Sequence, residues 1–297
     1  MADLNWTDAL TDDDIDRVRV LLAAVARVDG QPEVPPTGLP GEFRTGSHLL
    51  AGADPLTGYG HLDTAGDARG RPVGDAFVHP DARRAGLGSA LVGALVERAG
   101  PELRVWARGD HPAAARIADT LGLHPVRTLL KLRLDLTAAR RPPLPEPVWP
   151  AGITARTFVP GTDEAAMIEV NRAAFDWHPE QGALTVGDLL AAEAEDWFDP
   201  TGFFLAENAD GRVVGFHWTK VHSTPDGPVG EVYVVGVHPD AQGGGLGRAL
   251  TLIGLHHLCA AGLPEVVLYV EADNGPAVAV YRKLGFLDAA VNRQYAR

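Results

Sequence analysis

The chain has 297 residues, enough for one large domain or two of ordinary size. Its apolar content of 45% supports packed cores, and its formal net charge of −13 speaks against a general nucleic-acid or membrane-surface binder while leaving room for a locally bound anion. The single cysteine, Cys259, excludes an internal disulfide framework and a cysteine-based zinc cluster. As a thiol in an apolar helix, it is expected in the core.

The first stretch, Met1 to Asp16, is acidic and carries no basic segment followed by an apolar block. No apolar run approaches the ~20 residues that span a bilayer, so a soluble cytoplasmic protein is expected. Apolar residues at Ile15, Val18, Leu21, Leu22 and Val25 predict a helix over Asp12 to Val28. Short strands are predicted at His48 to Ala53 and Tyr59 to Asp63, then a strand over Val73 to Val78. A helix follows over Leu87 to Ala99, a strand over Leu103 to Ala107, a helix over Pro112 to Leu121 and a strand over Leu129 to Leu136. Five prolines between Arg140 and Pro150 favour an extended linker, which sets the expected boundary: a first domain at 1–139, the linker at 140–150 and a second domain at 151–297.

The second half repeats this order. Strands are predicted at Ile153 to Thr157, Phe203 to Asn208, Val213 to Val221, Gly230 to Val237, Val266 to Glu271 and from Phe286 onward. Helices are predicted at Thr162 to Ala174, Leu189 to Asp196, Leu246 to Ala261 and Pro276 to Leu284. The repeat is explicit at one turn. Val78-His79-Pro80-Asp81-Ala82-Arg83-Arg84-Ala85-Gly86-Leu87-Gly88 returns as Val237-His238-Pro239-Asp240-Ala241-Gln242-Gly243-Gly244-Gly245-Leu246-Gly247, an offset of 237 − 78 = 159. A glycine turn at a helix start offers unpaired backbone N–H groups to an anion, and the helix dipole adds to the attraction. Past the turn the halves realign at 269 − 106 = 163, the four extra residues lying in the long helix or its exit loop. Each half reads as a mixed α/β sheet with helices on its faces.

A strand, an (Arg/Gln)-x-x-Gly-x-Gly turn, a helix, a strand, an Asp-Asn-Gly-Pro turn and a Leu-Gly-Phe ending resemble the GNAT superfamily of acyl-CoA-dependent N-acetyltransferases, here as two tandem domains. The blocks Asn171 to Phe175, Trp177 to Gly182, Trp197 to Pro200, Gly215 to His222 and Gly230 to Val234 are similar to the mycothiol synthase family. That resemblance implies transfer of acetyl from acetyl-CoA to the cysteine amine of cysteinyl-glucosaminyl-inositol. A monomer acting on small molecules is expected, and the net charge speaks against a nucleic-acid or membrane partner.

The same resemblance implies the site. Val235, Gly236 and Val237 would line pantetheine, and Gln242, Gly243, Gly244, Gly245, Leu246, Gly247 and Arg248 would hold the diphosphate. Asn274, Gly275, Pro276, Ala277, Val278 and Ala279 would meet the acetyl end. A second CoA site in the first half would use Ala76, Phe77, Val78, Arg84, Ala85, Gly86, Leu87, Gly88 and Ser89. Glu231 would be the general base and Tyr281 the general acid, while Glu180, Lys220, Glu231 and Tyr269 would touch the acceptor. A glycine inside a strand, such as Gly236, marks a bulge or a close backbone approach. The family also places a carboxylate after Val28-Asp29-Gly30; that position is Pro36 here, with Glu33 the nearest acid.

From the residues alone, Glu231 reads first as a solvated strand-edge glutamate; Tyr281 can also be a half-buried helix tyrosine and Lys220 a lysine snorkelling at the sheet edge. His217 and His222 flank Lys220 without an acidic third ligand, so they read as structural or supporting residues and no metal site is expected. Asp196 to Pro200 reads as a turn that shapes the cleft. At the two offsets Glu231 falls on Pro72 and Tyr281 on Ala118, so the first half is expected to bind CoA without catalysis. Two other readings stay open: a tandem N-acetyltransferase for another small amine or a peptide, and a non-enzymatic acyl-CoA sensor.

Overall fold

The computed structural model describes residues 3–35, 37–67, 69–137, 143–178, 181–224 and 227–297. They form two compact units. The first takes Met1–Leu130, Glu271–Asp273 and Ala290–Arg297; the second takes Lys131–Val270 and Asn274–Ala289. In chain order the elements are β1 (Leu4–Thr7), α1 (Asp12–Asp29), β2 (Ser47–Ala51), β3 (Gly58–Asp63), β4 (Val73–Val78), α2 (Leu87–Ala99), β5 (Arg104–Ala107), α3 (Pro112–Thr120) and β6 (His124–Asp135). Then come β7 (Thr154–Thr157), α4 (Glu164–Ala174), α5 (Val186–Glu193), β8 (Phe203–Glu207), β9 (Val213–Thr224), β10 (Gly227–Val237), α6 (Leu246–Ala260), β11 (Glu265–Glu271), α7 (Gly275–Lys283) and β12 (Leu287–Ala296).

The first unit's strands run β1-β2-β3-β4-β5-β12 and the second's run β7-β8-β9-β10-β11-β6. The order is the same in both, but the last strand is exchanged. The end of β12 pairs antiparallel with β5, Tyr295 opposite Val105, and Tyr295 is buried in that unit's core. The end of β6 lies in the second unit, where Leu136 N–H donates to the Pro264 carbonyl at 2.8 Å. The compact units therefore do not divide the chain at a single point. A repeat in sequence shows that each copy ends in a strand; it carries no signal of which sheet that strand completes. Residues 143–150 form neither helix nor strand, and they pack on the second unit through the buried Leu144 and a hydrogen bond from His256 Nε2 to the Pro145 carbonyl at 3.0 Å.

Local chemistry explains the elements that frame the sites. Helix α1 starts at a reciprocal capping box of Thr11 and Asp14 and stops at Gly30, whose φ of +73° a side chain would strain. Its buried face, Val18, Leu21, Leu22 and Val25, packs against Phe43, Tyr59 and Phe77. Helix α6 buries Leu246, Leu250, Leu255 and Leu258. Cys259 is exposed, not in the core as its helix's composition implied. It follows Leu258 and so sits about 100° further round the helix, off the buried face. Strand β1 was not foreseen: it is a four-residue edge strand, too short for its alternation to register.

Both units share one feature of the strand that enters the glycine turn. Strands β4 and β5 pair in parallel only from Val73–Arg104 to Asp75–Trp106, and β10 and β11 only at Gly230–Val266 and Glu231–Val267. Beyond those points β4 runs on to Val78 and β10 to Val237 with no ladder to their parallel neighbours. Each stretch leaves backbone N–H and C=O groups unpaired on the side of its parallel neighbour, an edge able to pair with an extended ligand.

Candidate active site

In the second unit the splayed strand leads directly into the glycine turn. A short 3-10 turn over Pro239–Ala241 is capped by His238, whose Nδ1 accepts from Asp240 N–H at 3.3 Å. Gln242 Nε2 donates to the Val237 carbonyl at 3.1 Å and so ties the turn to the end of β10. Gly243 and Gly245 both have φ of +87°, and Gly245 caps α6 with no side-chain hydrogen bond. The first-turn N–H groups of Leu246, Gly247 and Arg248 therefore remain for an external acceptor. The Leu246 side chain is buried and contributes only its backbone. At the next helix start, the Asn274 side chain accepts from Ala277 N–H at 3.2 Å, followed by Gly275 and Pro276 and then Ala277, Val278 and Ala279. Asn274 is thus engaged as a helix cap, and the small residues after it keep that face of α7 low. Gly236 owes its identity to packing: a Cβ there would stand 2.4 Å from the Phe216 ring. The bulge of this strand lies elsewhere, at Tyr233, which is extra between the pairs Val232–Thr219 and Val234–Trp218.

Glu231, Lys220 and His222 gather where the β10–β11 ladder ends. Glu231, only 6% exposed, is the last residue of β10 paired with β11 and stands opposite Lys220 of β9. His222 Nε2 lies 2.5 Å from Glu231 Oε2. Lys220 Nζ sits 3.9 Å over the Trp197 ring and 5.0 Å from the Tyr233 ring centre, a cation–π setting. Burial pushes the Lys220 ammonium down, while the charges of Glu231 and Glu195 pull it back up. Burial also raises the Tyr233 phenol, and the Glu231 charge adds to it. Trp197, Trp218 and Tyr233 have ring centres 5.1–5.6 Å apart and wall this pocket. On α7, burial pushes the Tyr281 phenol up to about 12, so it stays protonated through the neutral range. Its ring packs on Phe286 at 5.8 Å. Tyr269 of β11 is partly exposed with Lys131 Nζ 5.8 Å from its ring centre. Glu180 lies outside the described residues. His217 is fully buried, its Nδ1 2.6 Å from the Leu250 carbonyl, and desolvation pushes it down to about 4; it is a core residue. Asp199 caps the turn over Pro200–Gly202 by accepting from Thr201 N–H at 2.9 Å.

The first unit holds a cleft of about 860 Å³ at its own glycine turn. Ala76, Phe77 and Val78 of β4, then Arg84, Gly86, Leu87, Gly88 and Ser89 of the turn, line it together with Trp106, Arg108 and α3; Ala85 does not. Gly86 has φ of +83° and caps α2 without a side-chain hydrogen bond, as Gly245 does for α6. Arg84 holds the left-handed φ of +65° at the position where the other turn has Gly243. Arg83, the counterpart of Gln242, is bound in a two-pronged ion pair to Asp29 at 2.7 and 2.9 Å. Pro36 lies outside the described residues. The ladder register corrects one alignment. Glu231 pairs with Val267 and Val73 with Arg104, and Val267 corresponds to Arg104 at the offset of 163, so the counterpart of Glu231 is Val73 rather than Pro72. The extra residue at the Tyr233 bulge shifts the repeat by one. Neither residue carries a carboxylate, and Ala118, at the Tyr281 position, is buried in the core of its unit.

Comparison with known proteins decides the family. Residues 167–286 match the acetyltransferase (GNAT) family. A mycothiol acetyltransferase of Saccharomonospora viridis is 54% identical, covering 100% of this chain and 99% of that protein. A GCN5-related N-acetyltransferase from Sphaerobacter thermophilus superposes with a TM-score of 0.76 at 26% identity, over 99% of this chain and 95% of its own. The fold is also that of a tandem GNAT protein from the clavulanic acid biosynthesis pathway, with a TM-score of 0.70 at 18% identity over 100% and 98% of the two chains. The chain belongs to the mycothiol acetyltransferase family. It is an acetyl-CoA-dependent N-acetyltransferase built on two GNAT units.

Within this mycothiol acetyltransferase family member, the sequence reading gave Tyr233 no role, placed Trp197 only in a turn that shapes the cleft, and took His222 only as a structural or supporting residue. Tyr233 and Trp197 form the box around Lys220, and His222 touches Glu231 directly. The aromatic box depends on a bulge that no local pattern announces. The His222 contact depends on the β9–β10 register, in which His222 lies diagonal to Glu231. Among the described residues, no helix is long and apolar enough to cross a membrane.

Proposed function

We propose that the second unit transfers acetyl from acetyl-CoA to the cysteine amine of cysteinyl-glucosaminyl-inositol, giving mycothiol. One observation carries the reading: a buried carboxylate, Glu231, stands at the point where β10 leaves β11 and its backbone becomes free to pair with a ligand. The residues fit acetyl-CoA. Val235 to Val237 offer unpaired backbone to the pantetheine arm, and the uncapped start of α6 offers N–H groups to the diphosphate. Acetyl-CoA supplies an activated thioester; the chain supplies proton transfer and position. An α-amine titrates near 7.7–8.0, so much of it carries a proton at neutral pH. Glu231 takes the proton as the amine attacks, directly or through a water. Tyr281 holds a phenolic proton at neutral pH and gives it to the departing thiolate. Lys220, held in its aromatic box, directs donors toward the acceptor's hydroxyls, with Tyr269 and Glu180 as further contacts. The first unit's cleft holds a second CoA without turning it over, because Val73 and Ala118 carry no proton-transfer group. The enzyme works in the cytoplasm as a monomer.

Mass spectrometry of the product from acetyl-CoA and cysteinyl-glucosaminyl-inositol tests the reading. A product heavier by one acetyl, on nitrogen, is expected. Its absence alongside turnover of another amine assigns a different acceptor, and CoA binding without turnover of any amine assigns a sensor. Lys220→Ala is expected to raise KM for the acceptor more than for acetyl-CoA; a loss confined to acetyl-CoA would contradict its role. Tyr281→Phe is expected to lower kcat with little change in acetyl-CoA affinity, because the phenol acts only as the thiolate leaves. A kcat within about twofold of wild type, with chemistry rate-limiting, would move the acid elsewhere.

A further inference from the structure

We propose that His222 is a positioning residue for the general base: its Nε2–H anchors Glu231 Oε2, so that Oε1 alone faces the amine. The inference rests on reading Glu231 as the base. Glu231 is 6% exposed, and the 2.5 Å contact with His222 is the one hydrogen bond its carboxylate makes among the described residues. A carboxylate out of water with a single anchored oxygen has its rotamer and its second oxygen set by that anchor. The other groups around Glu231 do not substitute. Lys220, directly opposite on β9, is drawn over the Trp197 and Tyr233 rings. Glu195 acts on Lys220 through its charge. Tyr233 of β10 is an aromatic wall of the Lys220 box. Strand β11 meets Glu231 with the apolar Val267. The His222 side chain is 30% exposed, three times the 9% of the Glu231 side chain, so the base connects to solvent through the imidazole.

A purely structural histidine and a positioning histidine differ in how their loss combines with loss of Glu231. His222→Phe is expected to lower kcat about 10- to 100-fold, the range for losing a hydrogen bond to a charged group, with KM for both substrates within about twofold. His222→Gln places an amide N–H near the same spot and is expected to stay within about threefold of wild type. In the Glu231→Gln background His222→Phe is expected to cost less than about twofold more, because both changes disable one unit. The steady-state kinetics of these four proteins decide the matter. Losses that multiply in the double variant, or a His222→Phe enzyme with wild-type kcat beside a crippled Glu231→Gln enzyme, would overturn the role of His222 and leave Glu231 as the base. A Glu231→Gln enzyme at wild-type rate would instead overturn the base itself. If His222→Phe does not fold, the Gln variant carries the test: a large kcat loss there despite the retained donor refutes positioning.

Discussion

Glu231→Gln is expected to lower kcat/KM by a factor of order 10²–10⁴ near neutral pH, the range for removing a general base. The change keeps the volume of the side chain and an oxygen that can accept from His222 Nε2, so the pocket around Lys220 and Tyr233 should hold its shape. What disappears is the carboxylate proposed to accept the amine's proton. The direction with pH follows from the amine. Below its pKa near 7.7–8.0 the acceptor is mostly ammonium and cannot attack; above it the neutral form dominates without help. The variant should therefore recover part of its rate as pH rises, while the wild-type enzyme gains less over the same interval. A kcat/KM and a pH–rate profile both unchanged from wild type would remove Glu231 from the mechanism.

The glycine turns were legible because they depend on local chemistry. Gly86 and Gly245 need left-handed backbone to enter a helix, and the surrounding His-Pro-Asp and Leu-Gly residues recur in order. The helices were legible for the same reason, from capping residues such as Thr11 and Asp14 and from apolar spacing. Properties set by distant pairing were not. The exchange of β6 and β12 between the units leaves no mark in either strand's alternation. The bulge at Tyr233 shifted the counterpart of Glu231 from Pro72 to Val73, because upstream of Asp75 the two copies share too little sequence to show a one-residue slip. Gly236 was read as a bulge or a close backbone approach; the bulge lies at Tyr233, and what crowds Gly236 is the Phe216 ring, a contact fixed by the β9–β10 register. Glu231 was nameable from a family resemblance and His222 from its place beside Lys220, whereas the contact between them required the fold.

The two glycine turns permit a matched pair of variants. Gly86 and Gly245 occupy the same place, the residue before a helix, with φ of +83° and +87°, and neither has an atom within 4 Å of where a Cβ would stand. A tryptophan at either position pays a similar backbone cost, of order 1 kcal/mol, and projects into the space where a diphosphate would approach the helix start. Gly88 would be a poorer choice, since a Cβ there meets Ile117 at 3.0 Å and adds a packing defect. Gly245→Trp is expected to abolish turnover, because its unit carries Glu231 and Tyr281, the proposed base and acid. Gly86→Trp is expected to empty the first cleft and leave substantial activity, because Val73 and Ala118 move no protons. Calorimetry with CoA should count two sites per chain in the wild-type protein and one in each variant. Comparable melting temperatures would establish that the difference in activity belongs to the sites. A folded Gly86→Trp protein that still binds CoA in the second unit yet has lost all turnover would overturn the assignment, placing the chemistry in the first unit or making it depend on that unit's ligand.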